Sequence, residues 1–174
     1  MDLEIVRLDG AEAAAATAEL GEVLADCVTG GASVNFMWPY TPTDGRAFFA
    51  RVAEDVAQGR TELLVARLEG RIVGTVQLGL DTPPNQPHRA DVKKMLVHRD
   101  VRRRGVGAAL MREAELLAAQ LSRTLLVLDT VTGEAGERLY ARMGWNRLGE
   151  IPDYALMPDG ALCSTTVFWK RTAL

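Results

Sequence analysis

The chain has 174 residues, with 20 Lys and Arg against 23 Asp and Glu for a net charge of −3. A chain of this length suits a single domain over residues 1–174 with a core of its own, and 48% hydrophobic with 25% charged residues is the balance of an ordinary globular chain. The acidic balance argues against a nucleic-acid binder, and no apolar run nears the ~18 residues of a membrane span.

The opening MDLEIVRLDG lacks the basic stretch and apolar core of an export signal, so a cytoplasmic location is expected. Leu3 to Leu8 alternates loosely, as a strand does. Ala11 to Val28 carries Leu20, Val23, Leu24 and Cys27 at helical spacing and reads as one helix. TGGASVNFMWPYTP is a loop by its glycines and prolines, and an aromatic one. Thr43 to Gln58 resumes the helical period through Phe48, Phe49, Val52 and Val56, and Gly59 stops it.

Thr61–Leu68 and Ile72–Leu80 flank the turn pair Glu69-Gly70 and read as a hairpin. The prolines of DTPPNQPHR make a loop, and Ala90 to Val97 is a strand candidate. Gly105 to Leu121 is a helix with Val106, Leu110, Ala114, Leu117 and Leu121 along one face. TLLVLDT is almost wholly apolar, as in a central strand covered on both faces. Glu134 to Met143 is a short helix, supported by Glu134 and Arg138 four residues apart and ended by Gly144. WNRLGEIPDYAL and ALCSTTVFWKRT form a second hairpin around MPDG. The expected fold is a mixed α/β sheet in one domain, with the order β-α-α-β-β-β-α-β-α-β-β.

The densest positive charge lies where a helix begins, in HRDVRRRGVGAAL. A helix N-terminus exposes up to four backbone N–H groups and a partial positive charge. Most helices answer with a Ser, Thr, Asp or Asn cap and an acidic first turn. Here Arg103 and Arg104 occupy the cap positions and Gly-Val-Gly-Ala the first turn, and each cation there is unfavourable by roughly 0.3–1 kcal/mol. A bound anion resolves the conflict, because the free N–H groups, the dipole and the arginines all point at it. The alternative is a solvated basic turn paired with Asp100 or Asp91. The Walker A pattern is absent, and Gly-x-Gly-x-x-Gly fails at Leu110, which leaves a dinucleotide-binding domain as a weaker reading.

Arg102-x-x-Gly105-x-Gly107 after the strand VKKMLV resembles motif A of the GNAT acetyltransferase superfamily. LYARMGW supplies that family's tyrosine–glycine–aromatic element as Tyr140, Gly144 and Trp145. GGASVNFM, RADVKKMLV, LDT…GE…LYARMGW and YALMPDG are also similar to the tabtoxin-resistance acetyltransferases, which inactivate a β-lactam amino-acid toxin. An Asn common in the wider superfamily seven residues before the tyrosine is Gly133 here. The resemblance implies a GNAT-type mixed, mostly antiparallel twisted sheet of about seven strands with about four helices. It implies acetyl-CoA as donor and an N-acetyltransferase acting on a small-molecule amine, with an amino-acid-like toxin or antibiotic as the candidate acceptor, in a monomer or homodimer. The pyrophosphate would rest on N–H groups of Arg103, Arg104, Gly105, Val106, Gly107 and Ala108, with Arg102 beside them. The pantetheine would run along Met95, Leu96 and Val97.

Acetyl transfer needs a neutral amine. Deprotonating a lysine-like amine at pH 7 costs roughly 4–5 kcal/mol, and an α-amino group about 1.4 kcal/mol. A carboxylate at the acceptor can take that proton. Asp91 and Asp129 are the candidates, with an ion pair for Asp91 and a loop or helix cap for Asp129 as the structural alternatives. The burial expected at the end of an apolar strand would raise an Asp toward a useful base. Tyr140 is the candidate general acid for the departing thiolate, or else a core tyrosine. An N–H near Leu96 or Val97 would stabilise the oxyanion. Phe36, Trp38 and Tyr40 either line the acceptor pocket near Tyr154 or pack on the core. His88 and His98 are expected at the surface, Cys27 and Cys163 as reduced buried thiols, and no metal is expected. A non-catalytic acyl-CoA-binding module is the alternative function.

Overall fold

The computed structural model describes residues 2–172. In chain order the elements are β1 (Leu3–Leu8), α1 (Gly10–Ala15), α2 (Thr17–Thr29), α3 (Pro42–Ala57), β2 (Thr61–Leu68), β3 (Arg71–Gly79), β4 (Arg89–Val97), α4 (Val106–Gln120), β5 (Leu125–Val131), α5 (Ala135–Arg142), β6 (Asn146–Leu156) and β7 (Leu162–Arg171). They build a 7-stranded sheet in the order β1-β2-β3-β4-β5-β7-β6. Every neighbouring pair is antiparallel except β4 with β5. This is the mixed, mostly antiparallel sheet expected, and it removes the dinucleotide-binding alternative, which needs a doubly wound parallel sheet.

The helix expected over Ala11–Val28 is broken at Ala16, whose φ of −89° and ψ of 1° separate α1 from α2. Asp9 caps α1 in a reciprocal box with Glu12. The run of alanines has the propensity to continue, but packing overrides it: α1 is held against α3 at Gly10, where a Cβ would stand 2.6 Å from Ala57 Cβ. Thr41 and Asp44 form the capping box of α3, one residue ahead of the expected start, with Pro42 in its first turn. The hairpin of β2 and β3 turns through Glu69 and Gly70, both at positive φ. Arg138 donates to Gly133 O at 2.7 Å, so the expected pairing with Glu134 gives way to a backbone contact.

Helices cover both faces of the sheet. Val76, Leu78, Ala90, Val92, Leu126 and Leu128 pack with Leu110, Ala114 and Tyr140 on one face. Leu63, Val65, Ile72 and Leu96 pack with Leu20, Leu24 and Phe49 on the other. On that second face α2 and α3 meet backbone to backbone: a Cβ on Gly21 would lie 2.6 Å from Arg46 N, and one on Gly45 2.5 Å from Gly21 O.

Two irregularities position the site. The parallel ladder of β4 and β5 holds only Arg89↔Leu125, Ala90↔Leu126 and Asp91↔Val127, after which the strands splay, β4 running on to Val97 and β5 to Val131. The register of β3 with β4 slips between Thr75 and Gln77, so Lys94 and Met95 together oppose Val76, and Lys94 takes a φ of 50°. β5 is therefore not covered on both faces: Leu126 and Leu128 are buried, whereas Asp129 is exposed.

Candidate active site

The splay opens a cavity of about 270 Å³ lined by Asp91, Val92 and Lys93 of β4, Val127, Leu128 and Asp129 of β5, Thr165 and Val167 of β7, and Ile151 and Tyr154 of β6. It brings together three residues expected from sequence, Asp91, Asp129 and Tyr154. Because Leu126 and Leu128 face the α4 side, strand alternation sends Val127 and Asp129 to the opposite face. Asp91 and Lys93 share that face, since Ala90 and Val92 point the other way.

The two carboxylates differ in their partners. Asp91 Oδ1 is held by Arg89 Nη1, and Arg89 Nε also reaches Gln86 Oε1 at 2.7 Å. Asp91 is thus charge-compensated by its own strand. Among the described residues Asp129 forms no ion pair: its Oδ2 lies 2.8 Å from Thr165 Oγ1, which is 3.0 Å from Thr130 O. Thr165 orients the carboxylate through Oδ2 and leaves Oδ1 without a hydrogen bond among the described residues. The burial expected for Asp129 is absent, because the splay that makes the cavity also exposes the strand end.

The helix start is as bare as its sequence. Gly105 is the N-cap of α4 with φ of 83°, no side chain caps it, and the first turn holds no acid. The first intrahelical bond runs from Ala109 N to Gly105 O at 3.0 Å. Among the described residues, no backbone bond outside the regular elements takes an N–H from Arg103 to Ala108. A Cβ on Gly105 would meet nothing within 4 Å, so the space is open, and Arg102, Arg103 and Arg104 are all exposed around it. An oxygen-rich anion fits this cradle.

Arg102 is engaged elsewhere, however. Its Nε donates to Val97 O at 3.0 Å and its Nη2 lies 3.9 Å from Cys27 Sγ, so the guanidinium ties the end of β4 to α2. Cys27 Sγ also lies 3.5 Å from Val97 O, and burial, ahead of the opposing pull of Arg102, pushes its thiol pKa up. His98 N bonds Val73 O at 2.9 Å. Alternation then turns the backbone of Leu96 toward β3 and that of Met95 and Val97 toward the splay. Leu96 is thereby unavailable as a backbone donor to a ligand, and its side chain is buried against α2 and α3. Val97 N–H is the donor that remains of the two expected.

Tyr140 lies outside the lining residues of the cavity. It is buried between Trp145 and Phe168, each 5.9 Å away by ring centroid. Burial, and then the charge of Asp129, raise its pKa above the ordinary phenol value. Trp145 is structural: its Nε1 donates to Glu115 Oε1 at 2.8 Å, and Lys170 Nζ binds the other oxygen at 2.7 Å. Gly133 has φ of 82° and its N–H goes to Glu137, a backbone role in which an Asn side chain is not needed.

Phe36 and Trp38 do not line the cavity. Phe36 packs at a tilt against Tyr40, centroids 4.7 Å apart, and meets the edge of Phe48 at 5.2 Å, which draws it onto the core of the α2–α3 face. Trp38 Nε1 donates to Val28 O at 2.7 Å, which fixes a half-exposed indole over the end of α2. His88 is exposed, and His98 is half-buried with Nδ1 3.3 Å from Asp100 N. Both cysteines are free, Cys27 buried and Cys163 half-buried. Among the described residues, no three His, Cys, Asp or Glu side chains gather to hold a metal ion, and no helix is long and apolar enough to cross a membrane.

One residue was missed by the sequence reading. Lys94, at the bulge, sends its Nζ over the rings of Phe36 and Phe48, 5.7 and 5.8 Å from their centroids. Such contacts are worth about 0.5–2 kcal/mol. Burial and then Lys93 lower its pKa, while Asp129 acts in the opposite sense. Two adjacent lysines in an alternating strand point to opposite faces in sequence, and only the bulge brings both to this one.

The family model for the acetyltransferase (GNAT) domain matches residues 59–147, which run from the start of β2 into β6 and include the splay and the bare helix start. The fold is shared with solved structures over nearly the whole chain. An N-acetyltransferase from Staphylococcus aureus Mu50 superposes with a TM-score of 0.82 at 15% identity, over 99% of this chain and 100% of that one. The yncA protein from Salmonella typhimurium, solved with its cofactor acetyl-CoA, has a TM-score of 0.78 at 18% identity over 100% and 96%. A ribosomal-protein-alanine N-acetyltransferase from Brucella melitensis has a TM-score of 0.76 at 20% identity over 97% and 99%.

Proposed function

The chain belongs to the GNAT acetyltransferase family, and from that premise we propose that it moves the acetyl group of acetyl-CoA to the amine of a small, amino-acid-like molecule, with Asp129 as general base. The observation that carries this reading is the splay: it puts a carboxylate without a cationic partner, an open cavity and the free edge of β4 in one place. Acetyl-CoA supplies an activated acyl group on a thiol leaving group. The bare N-terminus of α4, with Arg103 and Arg104, holds its pyrophosphate, and Met95 and Val97 offer backbone groups to its pantetheine arm.

Within the cavity the incoming ammonium meets Asp129, which removes its proton directly or through one water. Val97 N–H faces the negative charge that builds on the acyl oxygen. Tyr140 stays protonated across the working range, because its pKa is raised, and donates to the leaving sulfur. Tyr154, on the edge strand, closes the acceptor side. The likeness of GGASVNFM and YALMPDG to tabtoxin-resistance enzymes supports a toxin or antibiotic as acceptor, and the reading extends to a cytoplasmic monomer or homodimer.

Asp129→Asn tests the base. Turnover falls by about 10²–10⁴-fold, the usual worth of such a group, while acetyl-CoA affinity stays within about twofold. Asp91→Asn, already compensated by Arg89, lowers turnover by less than about tenfold. Equal turnover in Asp129→Asn and the wild-type enzyme would remove Asp129 from the role.

A further inference from the structure

Two hydrogen-bond donors at the β4 bulge have no hydrogen-bond partner among the described residues. Lys94 lies on aromatic faces, which hold a cation and accept no strong hydrogen bond, and none of the ion pairs among the described residues includes it. Its three N–H donors are unspent by charged neighbours. Gln77, 4% exposed, is the register partner of Lys93, and its Nε2 is buried with no hydrogen-bond partner. Val76 and Leu78 face α4, so Gln77 faces the α2–α3 side, as Lys94 does.

A buried donor left unmade is a cost that native structures rarely carry without a reason. Here Lys93, the chain neighbour of Lys94 and the register partner of Gln77, lines the cavity with Asp91 of the same strand and Asp129 of the facing strand β5. The face is bipolar, with carboxylates at the splay and donors at the bulge. A simple alkylamine would satisfy the first pole and leave the second empty. We propose that Lys94, with Gln77 as a second donor, binds a carboxylate of the acceptor, so that Lys94 selects amines that also carry an acid group. The inference rests on the reading of this cavity as the acceptor site for acetyl transfer.

Pairs of probes test it, each an α-amino acid and the amine left when its carboxylate is removed, assayed by acetyl-CoA-dependent thiol release. The wild-type enzyme favours the acid-bearing member in kcat/KM by about 10- to 100-fold, the worth of one charge-assisted hydrogen bond. Lys94→Met brings that preference to within about twofold, with the rate on the acid-free amine and the affinity for acetyl-CoA unchanged. Lys94→Arg keeps the preference, and Gln77→Met, which leaves the ammonium in place, reduces it in part. A structural clamp on Phe36 and Phe48 would change the melting temperature without changing the ratio. Wild-type transfer to both members of each pair alike, or a preference that survives Lys94→Met, overturns the role of Lys94 and leaves acetyl transfer standing. Transfer to no amine at all overturns both.

Discussion

Tyr140 shows how one residue carries two roles that pull apart. Its ring fills the core with Trp145 and Phe168, and its hydroxyl is held protonated by burial and by Asp129. The folded chain therefore binds this proton more tightly than the unfolded chain does. The resulting stability is fully present below the unfolded value near 10 and is lost as pH rises toward the higher folded value. Urea denaturation at about pH 8 and about pH 11 reads this directly. Wild type loses about 1.4 kcal/mol more than Tyr140→Phe over that interval, and parallel losses in the two proteins would show that the hydroxyl ionises as freely folded as unfolded. The carboxylates were legible in sequence as residues but not in rank. Asp91 and Asp129 both stand on strands, and only the side-chain geometry reveals that Arg89 occupies the first and that Thr165 alone orients the second.

At the scale of elements, the missing cap of α4 was visible in the sequence because it is an absence: Arg103, Arg104 and Gly105 cannot do what Ser or Asp does. The splay and the bulge were not visible. VKKMLV reads as plain alternation, and nothing local says that Lys94 will take a left-handed backbone or that β4 and β5 will part after Asp91 and Val127. Both are properties of pairing between strands far apart in the chain. The same holds for the meeting of α2 and α3, where Gly21 and Gly45 look like weak points in helices yet are the contact itself. Gly21→Ala drives a Cβ into the backbone of Arg46 and costs about 1–3 kcal/mol, a fall in thermal midpoint of about 2–4 °C per kcal/mol. Gly149→Ala on β6, with nothing within 4 Å of its Cβ, is the control. An equal midpoint for the two variants would contradict close packing of α2 on α3.

Across the whole molecule, an acidic chain sets its densest run of positive charge, Arg102, Arg103 and Arg104, at one helix start and two adjacent lysines, Lys93 and Lys94, at one strand bulge. The first faces the splay from the α4 side and the second from the α2–α3 side. Under the proposed function, donor and acceptor would reach the gap from opposite faces of the sheet, and the sheet between them would supply the backbone of Val97. Helices on both faces bury β2 and β3, and the proposed function makes the opening between β4 and β5 the place where the two approaches meet. Its most direct test is release of free thiol from acetyl-CoA across a panel of small amines, with the mass of the product followed in parallel. The proposed function predicts thiol release matched one to one by an acetylated amine, and its loss in Asp129→Asn with acetyl-CoA binding retained. Tight binding of acetyl-CoA with no release on any amine would contradict it and would make the protein an acyl-CoA-binding module.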